Sequence, residues 1–323
     1  MSSIQSLSGP IDPDALGATL LHEHILWQFD DSRRQASLDF AVKLLKEAAQ
    51  AGVQTLVDLT PHRRIDWYME IASQSPVRII PCTGYYHYKG FLPRSLAAFS
   101  ADQMVERMVN ELTIGIDSSG VKAGIIKVAG VDPQLTPWEE QVFTAAAKAH
   151  LQTGACIATH AVAGALSQAQ VLEKAGANLN QVFFSHIDTE SGFEGRSMHE
   201  QARYLEQIAR MGGGLLLNNF GCSFYTLPEN EIYLMKHLCD AGFPDKVLIS
   251  IDCNWTWNAQ GEIELEEQAK HPEAGLRTYG FMMTDTVPEL LRAGFSPRDI
   301  QTFLVDNPRK FFSQSGSGQE PHS

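Results

Sequence analysis

Apolar runs rich in β-branched residues alternate with amphipathic stretches along most of the chain. Near-continuous apolar character predicts strands that are covered on both faces, as in a parallel sheet. The stretches between them repeat with the period of an amphipathic helix. Eight apolar runs are predicted as strands: Thr19–Ile25, Thr55–Thr60, Val77–Gly84, Ala123–Gly130, Ala155–Ala161, Gln181–Ile187, Gly213–Phe220 and Val247–Cys253.

Helices are predicted between several of these strands. The alternation favours an α/β fold, a (β/α)8 TIM barrel, over the alternative of a six-stranded doubly wound sheet with a small second domain. We expect one barrel domain over residues 1–312, a long lid loop after strand eight (Asn254–Thr284) and a disordered tail over residues 313–323. The predicted helices are Ser37–Gln50, Thr136–Thr153, Met198–Met211, Glu229–Ala241 and a final helix that starts at Ser296.

The composition of the chain argues against two classes of binding partner, nucleic acids and membranes. The net charge of −13 gives the chain no electrostatic reason to bind a nucleic-acid backbone. No apolar run approaches the roughly 18 residues of a membrane span. The five cysteines are scattered and odd in number, which is typical of a reducing cytoplasm. We therefore expect a small-molecule substrate, no nucleic acid, no membrane and a cytoplasmic location, while the oligomeric state stays open, with a homodimer as one option.

Two histidines lie two residues apart in the first predicted strand. Because strand side chains alternate, His22 and His24 project to one face and Glu23 to the other. Two imidazoles on one face can chelate a single metal ion. Such a pair alone is weak evidence for a metal site.

Four more reactive side chains lie near the ends of predicted strands. They are Lys127 on strand four, His160 on strand five, His186 on strand six and Asp252 on strand eight. Each has a structural alternative, such as a hydrogen-bonded histidine or an Asp that caps a turn. In a barrel, however, the carboxyl ends of all strands meet at one mouth, where the active sites of such enzymes lie. Together with the strand-one histidines, this set suits two borderline divalent cations.

Lys127 fits such a site only in an uncharged form. Burial and nearby cations disfavour its ammonium, and a neutral amine can add carbon dioxide. The resulting carbamate is an anion whose two oxygens can bridge two metals. The alternative is an ordinary buried lysine paired with an acid.

These residues, within two longer segments, resemble the phosphotriesterase-related branch of the amidohydrolase superfamily. The segments are GPIDPDALGATLLHEHI and GVKAGIIKVAG…LTPWEEQVFTAAAKAHLQTGACIATH, and the resemblance runs from Gly9 to about Phe312. It implies a (β/α)8 barrel with a binuclear centre and a carbamate on Lys127. The two divalent ions are expected to be zinc, with manganese, cobalt or iron as alternatives. The implied ligands are His22, His24 and Asp252 for the more buried metal, His160 and His186 for the more exposed one, and carboxylated Lys127 and a hydroxide as bridges.

Such a centre predicts hydrolysis. Two cations about 3.5–4 Å apart lower the pKa of a shared water from about 15.7 toward about 7. Asp252 and Lys127 are the predicted catalytic residues. Asp252 is the expected base, and Lys127 is expected to act as the carbamate between the metals. A lactone or carboxylic ester is the first substrate hypothesis, with a phosphotriester or an N-acyl amide as the alternative. The non-enzymatic alternative is a binding protein built on an inactive barrel.

Three residues are predicted to contact the substrate. Tyr85 follows strand three in Gly84-Tyr85-Tyr86, which looks like a lactonase pattern, although a core aromatic is the alternative. Asn219 offers a neutral amide, and Trp255 belongs to a mouth that is mostly aromatic. A shortage of cations there argues against multiply phosphorylated substrates. His62 and His87 follow strands two and three and are candidates for the pocket wall.

Two positions depart from the pattern of phosphotriesterases and lactonases that carry a proton relay. Thr189 stands where some of these enzymes have an Asp, three residues after the strand-six histidine. Asn218-Asn219 stands where they have an Asp-Arg or Asp-His pair. We therefore do not expect their proton relay away from Asp252 to operate unchanged.

Overall fold

The computed structural model describes residues 3–86, 98–265 and 277–313. Strands in these ranges are short, and most lie inside the apolar runs that predicted them. They are β1 (Ile4–Ser6), β2 (Gly9–Ile11), β3 (Thr19–Glu23), β4 (Thr55–Asp58), β5 (Arg78–Gly84), β6 (Ile125–Ala129), β7 (Ile157–His160), β8 (Val182–Ser185), β9 (Gly214–Leu217), β10 (Val247–Ile249), β11 (Trp255–Trp257) and β12 (Ile263–Leu265).

Strands β3 to β10 form one eight-stranded parallel sheet in chain order. Hydrogen bonds between the first and last of them close the sheet beyond the end of β10. The Asp252 N–H donates to the His22 carbonyl at 3.1 Å, and the His24 N–H donates to the Cys253 carbonyl at 3.1 Å. The predicted (β/α)8 barrel is confirmed.

Helices follow most strands of the barrel. The capping boxes at Thr136, Ser197 and Ser296 form as their sequences indicate. Four helices were not predicted from the sequence: Ile65–Gln74, Ala101–Thr113, Ala165–Lys174 and Val287–Arg292. The second of them nevertheless has a capping box, built by Ser100 and Gln103. The helices are α1 (Arg34–Ala51), α2 (Ile65–Gln74), α3 (Ala101–Thr113), α4 (Pro137–Thr153), α5 (Ala165–Lys174), α6 (Met198–Arg210), α7 (Pro228–Asp240), α8 (Val287–Arg292), α9 (Pro297–Gln301) and α10 (Asn307–Ser313), and π-helical turns at Met282–Thr286 and Thr302–Asp306 lead into α8 and α10.

The hydrophobic core has two layers. One layer fills the barrel with inward side chains such as Leu21, Val57 and Ile80, and Phe311 and Phe312 of α10 pack against it. The other layer lies between the strands and the surrounding helices. Because this packing secures the strands, their carboxyl ends form a rigid rim.

The predicted lid segment begins as ordered structure. Strands β11 and β12 pair antiparallel, with Trp255 opposite Leu265. Residues 266–276 and 314–323 lie outside the described residues, so the rest of the lid and the predicted tail stay predictions. Among the described residues, no helix combines the length and apolar character that a membrane span needs.

Candidate metal centre

The mouth of the barrel brings the six predicted ligands together. Lys127 on β6 extends its Nζ to 3.2 Å from Nε2 of His22 on β3. Oδ1 of Asp252 lies 3.6 Å from the same His22 Nε2 and 3.3 Å from Nε2 of His24. Oδ2 of Asp252 lies 3.6 Å from Nδ1 of His186. Residues more than 100 positions apart in the chain therefore meet around one carboxylate.

His160, at the end of β7, completes the cluster. Its ring centroid lies 4.3 Å from that of His186, which in turn lies 4.9 Å from that of His22. His22, His186 and Asp252 each offer a ligand atom, and these atoms lie within 4.8 Å of one another. Imidazole nitrogens and a carboxylate are donors that suit a divalent transition metal, so the cluster is compatible with a metal site.

Two of these side chains reach the cluster through a left-handed backbone. His186 has φ of 63° and Asp252 has φ of 55°, and both follow the end of their strand instead of lying within it. The apolar runs that predicted these strands, Gln181–Ile187 and Val247–Cys253, extend past both residues. A non-glycine residue in this region costs of order 1–3 kcal/mol and persists only where its surroundings enforce it. The turn breaks the alternation of the strand and directs each side chain toward the mouth.

Burial controls the protonation of the cluster. Desolvation, reinforced by the nearby Lys127, holds the pKa of His22 well below its usual value. Desolvation also lowers the pKa of His186 to about 4 and that of Lys127 to about 8. Burial raises the pKa of Asp252, but His186 and His24 outweigh it and lower the value overall. At neutral pH the imidazoles of His22 and His186 are therefore uncharged, which metal ligation requires.

Glu23 has a role that the sequence analysis missed. Its Oε1 accepts hydrogen bonds from Ser250 Oγ at 2.7 Å and from the Ile251 N–H at 2.9 Å. Its Oε2 accepts from the Cys253 N–H at 2.7 Å. Burial raises the pKa of Glu23 to about 8. Through these contacts the side chain fixes the segment that carries Asp252.

Further contacts orient individual histidines. Nδ1 of His24 lies 2.8 Å from Oγ1 of Thr60, so its Nε2 faces Asp252. The His186 N–H donates to Oδ1 of Asn218 at 2.8 Å, and Nδ2 of Asn218 lies 3.0 Å from the ring Nδ1 of His186. Outer contacts of this kind fix the ring positions of metal-binding histidines.

The structure distinguishes the two tyrosines after β5. Tyr85 is fully buried in the hydrophobic core, with the Arg107 guanidinium 5.1 Å from its ring centroid. The ring of Tyr86 instead lies 5.6 Å from that of His160. Gly84 adopts φ of 122°, and a Cβ there would collide with the Lys127 carbonyl. A side chain at position 84 is therefore excluded, and of the two tyrosines that follow it Tyr86 lies beside the cluster while Tyr85 lies in the core.

The other two predicted substrate contacts have internal partners. Asn219 donates through Nδ2 to Oγ1 of Thr189 at 2.8 Å, and its N–H donates to Oδ2 of Asp188 at 2.9 Å. Trp255 donates through Nε1 to the Ile25 carbonyl at 2.9 Å. Both residues are 3% exposed. Because buried polar groups need partners, these contacts stabilise the rim of the mouth. His87, the second candidate for the pocket wall, lies outside the described residues.

Known proteins resemble the chain over nearly its whole length. A phosphotriesterase homology protein of Mycobacterium tuberculosis is 29% identical, and the match covers 99% of this chain and all of that protein. An aryldialkylphosphatase of Saccharolobus solfataricus is 28% identical, with 94% of this chain and 97% of that protein covered.

The fold comparison gives the same result. The solved structure of the phosphotriesterase from Mycobacterium tuberculosis superposes with a TM-score of 0.83 at 27% identity, covering 97% of this chain and 99% of that one. The model of the phosphotriesterase family matches residues 2–312. With its barrel, its histidine and aspartate cluster and this match, the chain belongs to the phosphotriesterase family and is a metal-dependent hydrolase.

Proposed function

We propose that the cluster holds two divalent cations and that the protein hydrolyses an uncharged carbonyl substrate, a lactone or a carboxylic ester. His22, His24 and Asp252 would hold one cation, and His160 and His186 the other, with carboxylated Lys127 between them. Zinc is the favoured metal, because imidazole and carboxylate donors suit it. When bound, the cations would lower the pKa of a water toward about 7 and polarise the scissile carbonyl.

Asp252 is the proposed proton acceptor. Its side chain is 21% exposed, so it can reach the substrate, whereas His22 beside it is almost fully buried. The histidines that surround Asp252 keep it ionised. It can therefore accept the proton of the attacking water. Lys127 is fully buried, which favours the neutral amine that carbamate formation needs.

The observation that carries the choice of substrate is a cavity beside the cluster. It has a volume of about 180 Å³, and no Lys or Arg is among the described residues that line it. Recognition of a charged phosphate requires converging cations, so this surface favours an uncharged group. The described lining residues are Trp27, Phe29, Thr60, Pro61, His62 and Tyr86.

Hydrolysis of an uncharged phosphotriester is the second candidate. It is favoured by the similarity to the aryldialkylphosphatase, whose name describes this activity. A triester carries no charge, so the same cavity can accept it. Lactones and triesters differ in the geometry of the centre that water attacks. Comparison of kcat/KM for the two classes decides between the two candidate functions.

The test combines metal analysis with a substrate panel. The purified, metal-replete protein should contain two equivalents of metal per chain, and chelation should abolish activity. A panel of lactones, aryl esters, aryl phosphotriesters and N-acyl amides should show kcat/KM for a lactone or ester about a hundredfold above the other classes. Preference for triesters would select the second candidate, and absence of metal and of all hydrolysis would favour a binding protein.

We also propose a cytoplasmic location. All five cysteines lie in the described ranges and none forms a disulfide. Free thiols, most of them buried, are typical of a reducing compartment.

A further inference from the structure

Two buried acids that the proposed mechanism does not use lie in contact with each other. Asp188 belongs to the turn after β8, and Glu231 belongs to helix α7. The residues are 0% and 2% exposed, and their side chains hydrogen-bond to each other. Oδ1 of Asp188 and Oε1 of Glu231 are buried, and neither receives an N–H or hydroxyl hydrogen from the described residues. Because a buried acid without a donor is costly, the pair calls for an explanation.

A hydrogen bond between two carboxyl groups requires one proton on the pair, because an ionised carboxylate can only accept. Asp188 is the acceptor. Its Oδ2 already accepts the N–H groups of Asn218 at 3.1 Å and Asn219 at 2.9 Å, and such donors favour the ionised form. Glu231 is the donor: burial and the negative charge of Asp188 raise its pKa well above the usual value, although the positive charge of Arg277 acts in the opposite direction. The pair therefore carries one negative charge instead of two.

Asp188 is connected to the metal centre through Asn218. The backbone N–H of Asn218 is held by Asp188, and its side chain contacts His186 in two places. Oδ1 of Asn218 accepts the His186 N–H at 2.8 Å, and Nδ2 of Asn218 lies 3.0 Å from the ring Nδ1 of His186. Both the strained backbone of His186, with φ of 63°, and the position of its ring therefore depend on Asn218. A displacement of Asp188 would reach the ring through a single residue.

We infer that Glu231 is a positioning residue of the metal centre: as a carboxylic acid it donates a hydrogen bond to Asp188 and thereby fixes the Asn218 backbone that orients His186. A neutral acid gives Oδ1 of Asp188 the donor that it otherwise lacks, and it avoids two adjacent negative charges in the core. The inference rests on the proposed function only for the role of His186 as a metal ligand, and the hydrogen bond itself can be tested without turnover.

The first experiment detects the proton on Glu231. Infrared difference spectra are recorded at pH 7.0 between the metal-replete wild type and each of Glu231→Gln, Asp188→Asn and Glu229→Gln, so that the signals of all unchanged carboxyl groups cancel. Glu231→Gln should lose one C=O stretch of a protonated carboxyl group, a band that shifts in heavy water. Asp188→Asn should keep that band, because its amide oxygen still accepts from Glu231. Glu229, exposed on the same helix, is the matched control and should change no such band.

The second experiment measures the effect on the metal centre. Zinc affinity is determined by competition with a chelator for the wild type, Glu231→Gln, Glu231→Leu and Glu229→Leu. Glutamine can donate an amide N–H to Asp188, so Glu231→Gln should bind zinc as tightly as the wild type. Leucine fills a similar volume but donates nothing, so Glu231→Leu should bind zinc about 10- to 100-fold more weakly. Glu229→Leu should behave as the wild type.

Three results would overturn the inference. The first is retention of the protonated band in Glu231→Gln or its loss in Asp188→Asn, which decides the matter even if Glu231→Leu did not fold. The second is equal zinc affinity of Glu231→Leu and the wild type. The third is a loss of affinity in Glu231→Gln as large as that in Glu231→Leu, since only leucine lacks the donor. A wild type that binds no zinc would instead refute the proposed function.

Discussion

Glu23 holds the backbone on both sides of Asp252. Its two side-chain oxygens accept the N–H groups of Ile251 and Cys253, which flank the aspartate in the chain. Asp252 itself has the left-handed φ of 55°. The buried carboxyl group thus stabilises a strained turn that presents Asp252 to His22 and His24.

Replacement of Glu23 should therefore weaken the metal site without removing a ligand. In Glu23→Gln, one backbone N–H would face an amide N–H₂ and lose its acceptor. We expect metal affinity to fall about 10- to 100-fold, as for outer contacts in other metal sites. Competition with a chelator measures the affinity, and Glu229→Gln on the exposed surface is the control. Unchanged affinity would show that the turn at Asp252 forms without Glu23.

Asp252→Asn should lower kcat far more than KM. The amide keeps the size of the side chain but cannot accept the proton of the attacking water, so a loss confined to the chemical step is expected. Steady-state kinetics on the best substrate of the panel, together with metal analysis of the variant, separate loss of the base from loss of the metal. An unchanged kcat would exclude the proposed role.

Lys127→Ala should lose both metal and activity, because it removes the proposed bridging carbamate. Bicarbonate together with a short carboxylic acid should restore part of each, since a free carboxylate can occupy the space left by the side chain. Metal content and kcat are measured with and without the additives. Full activity of the variant without rescue would contradict the role of Lys127.

Thr189→Ala should have a small effect. The structure shows that Oγ1 of Thr189 accepts a hydrogen bond from Nδ2 of Asn219, a contact that is remote from proton transfer in our proposal. Its loss should cost about 1 kcal/mol of the free energy of unfolding and change kcat little. Denaturant unfolding and kinetics measure the two quantities. A fall in kcat as large as that of Asp252→Asn would place Thr189 in the proton relay.

The sequence was informative where residue type and strand position act together. Apolar runs predicted which segments form buried strands. Because the carboxyl ends of all barrel strands lie at one mouth, the six predicted ligands at those ends could be expected to meet there. It was not informative where one backbone torsion decides the direction of a side chain. Tyr85 lies in the core and Tyr86 beside His160, and no alternation rule in the sequence shows where the strand before them ends.

The sequence also did not predict which side chains form hydrogen bonds between segments that are distant in the chain. Asn219 and Trp255 have hydrogen-bond partners, Thr189 and Ile25, that lie 30 and 230 residues away in the chain, while their contact with a substrate stays a prediction. A polar side chain near a mouth can bind either a ligand or its own rim, and only the folded arrangement decides between them.

His62 should make the protein less stable in acid. Desolvation, with Arg107 and Arg63 nearby, lowers its pKa from 6.5 to about 4 in the folded state. Between these two values the unfolded chain binds a proton that the folded protein does not, so the free energy of unfolding falls as the pH drops from 6.5 toward about 4. One pKa unit corresponds to about 1.4 kcal/mol, but partial exposure of the side chain reduces the expected effect to about 1 kcal/mol in total.

His62→Gln removes this titration and leaves every other ionisable group of the protein in place. Urea unfolding at pH 7.0 and pH 4.5 should therefore show a loss of stability about 1 kcal/mol smaller in the variant than in the wild type. His199→Gln, on the exposed surface, should lose as much as the wild type does. Wild type and His62→Gln could instead lose the same amount of stability between the two pH values. His62 would then have the same pKa in the folded protein as in the unfolded chain, and its Nε2 could not be buried as the structure shows.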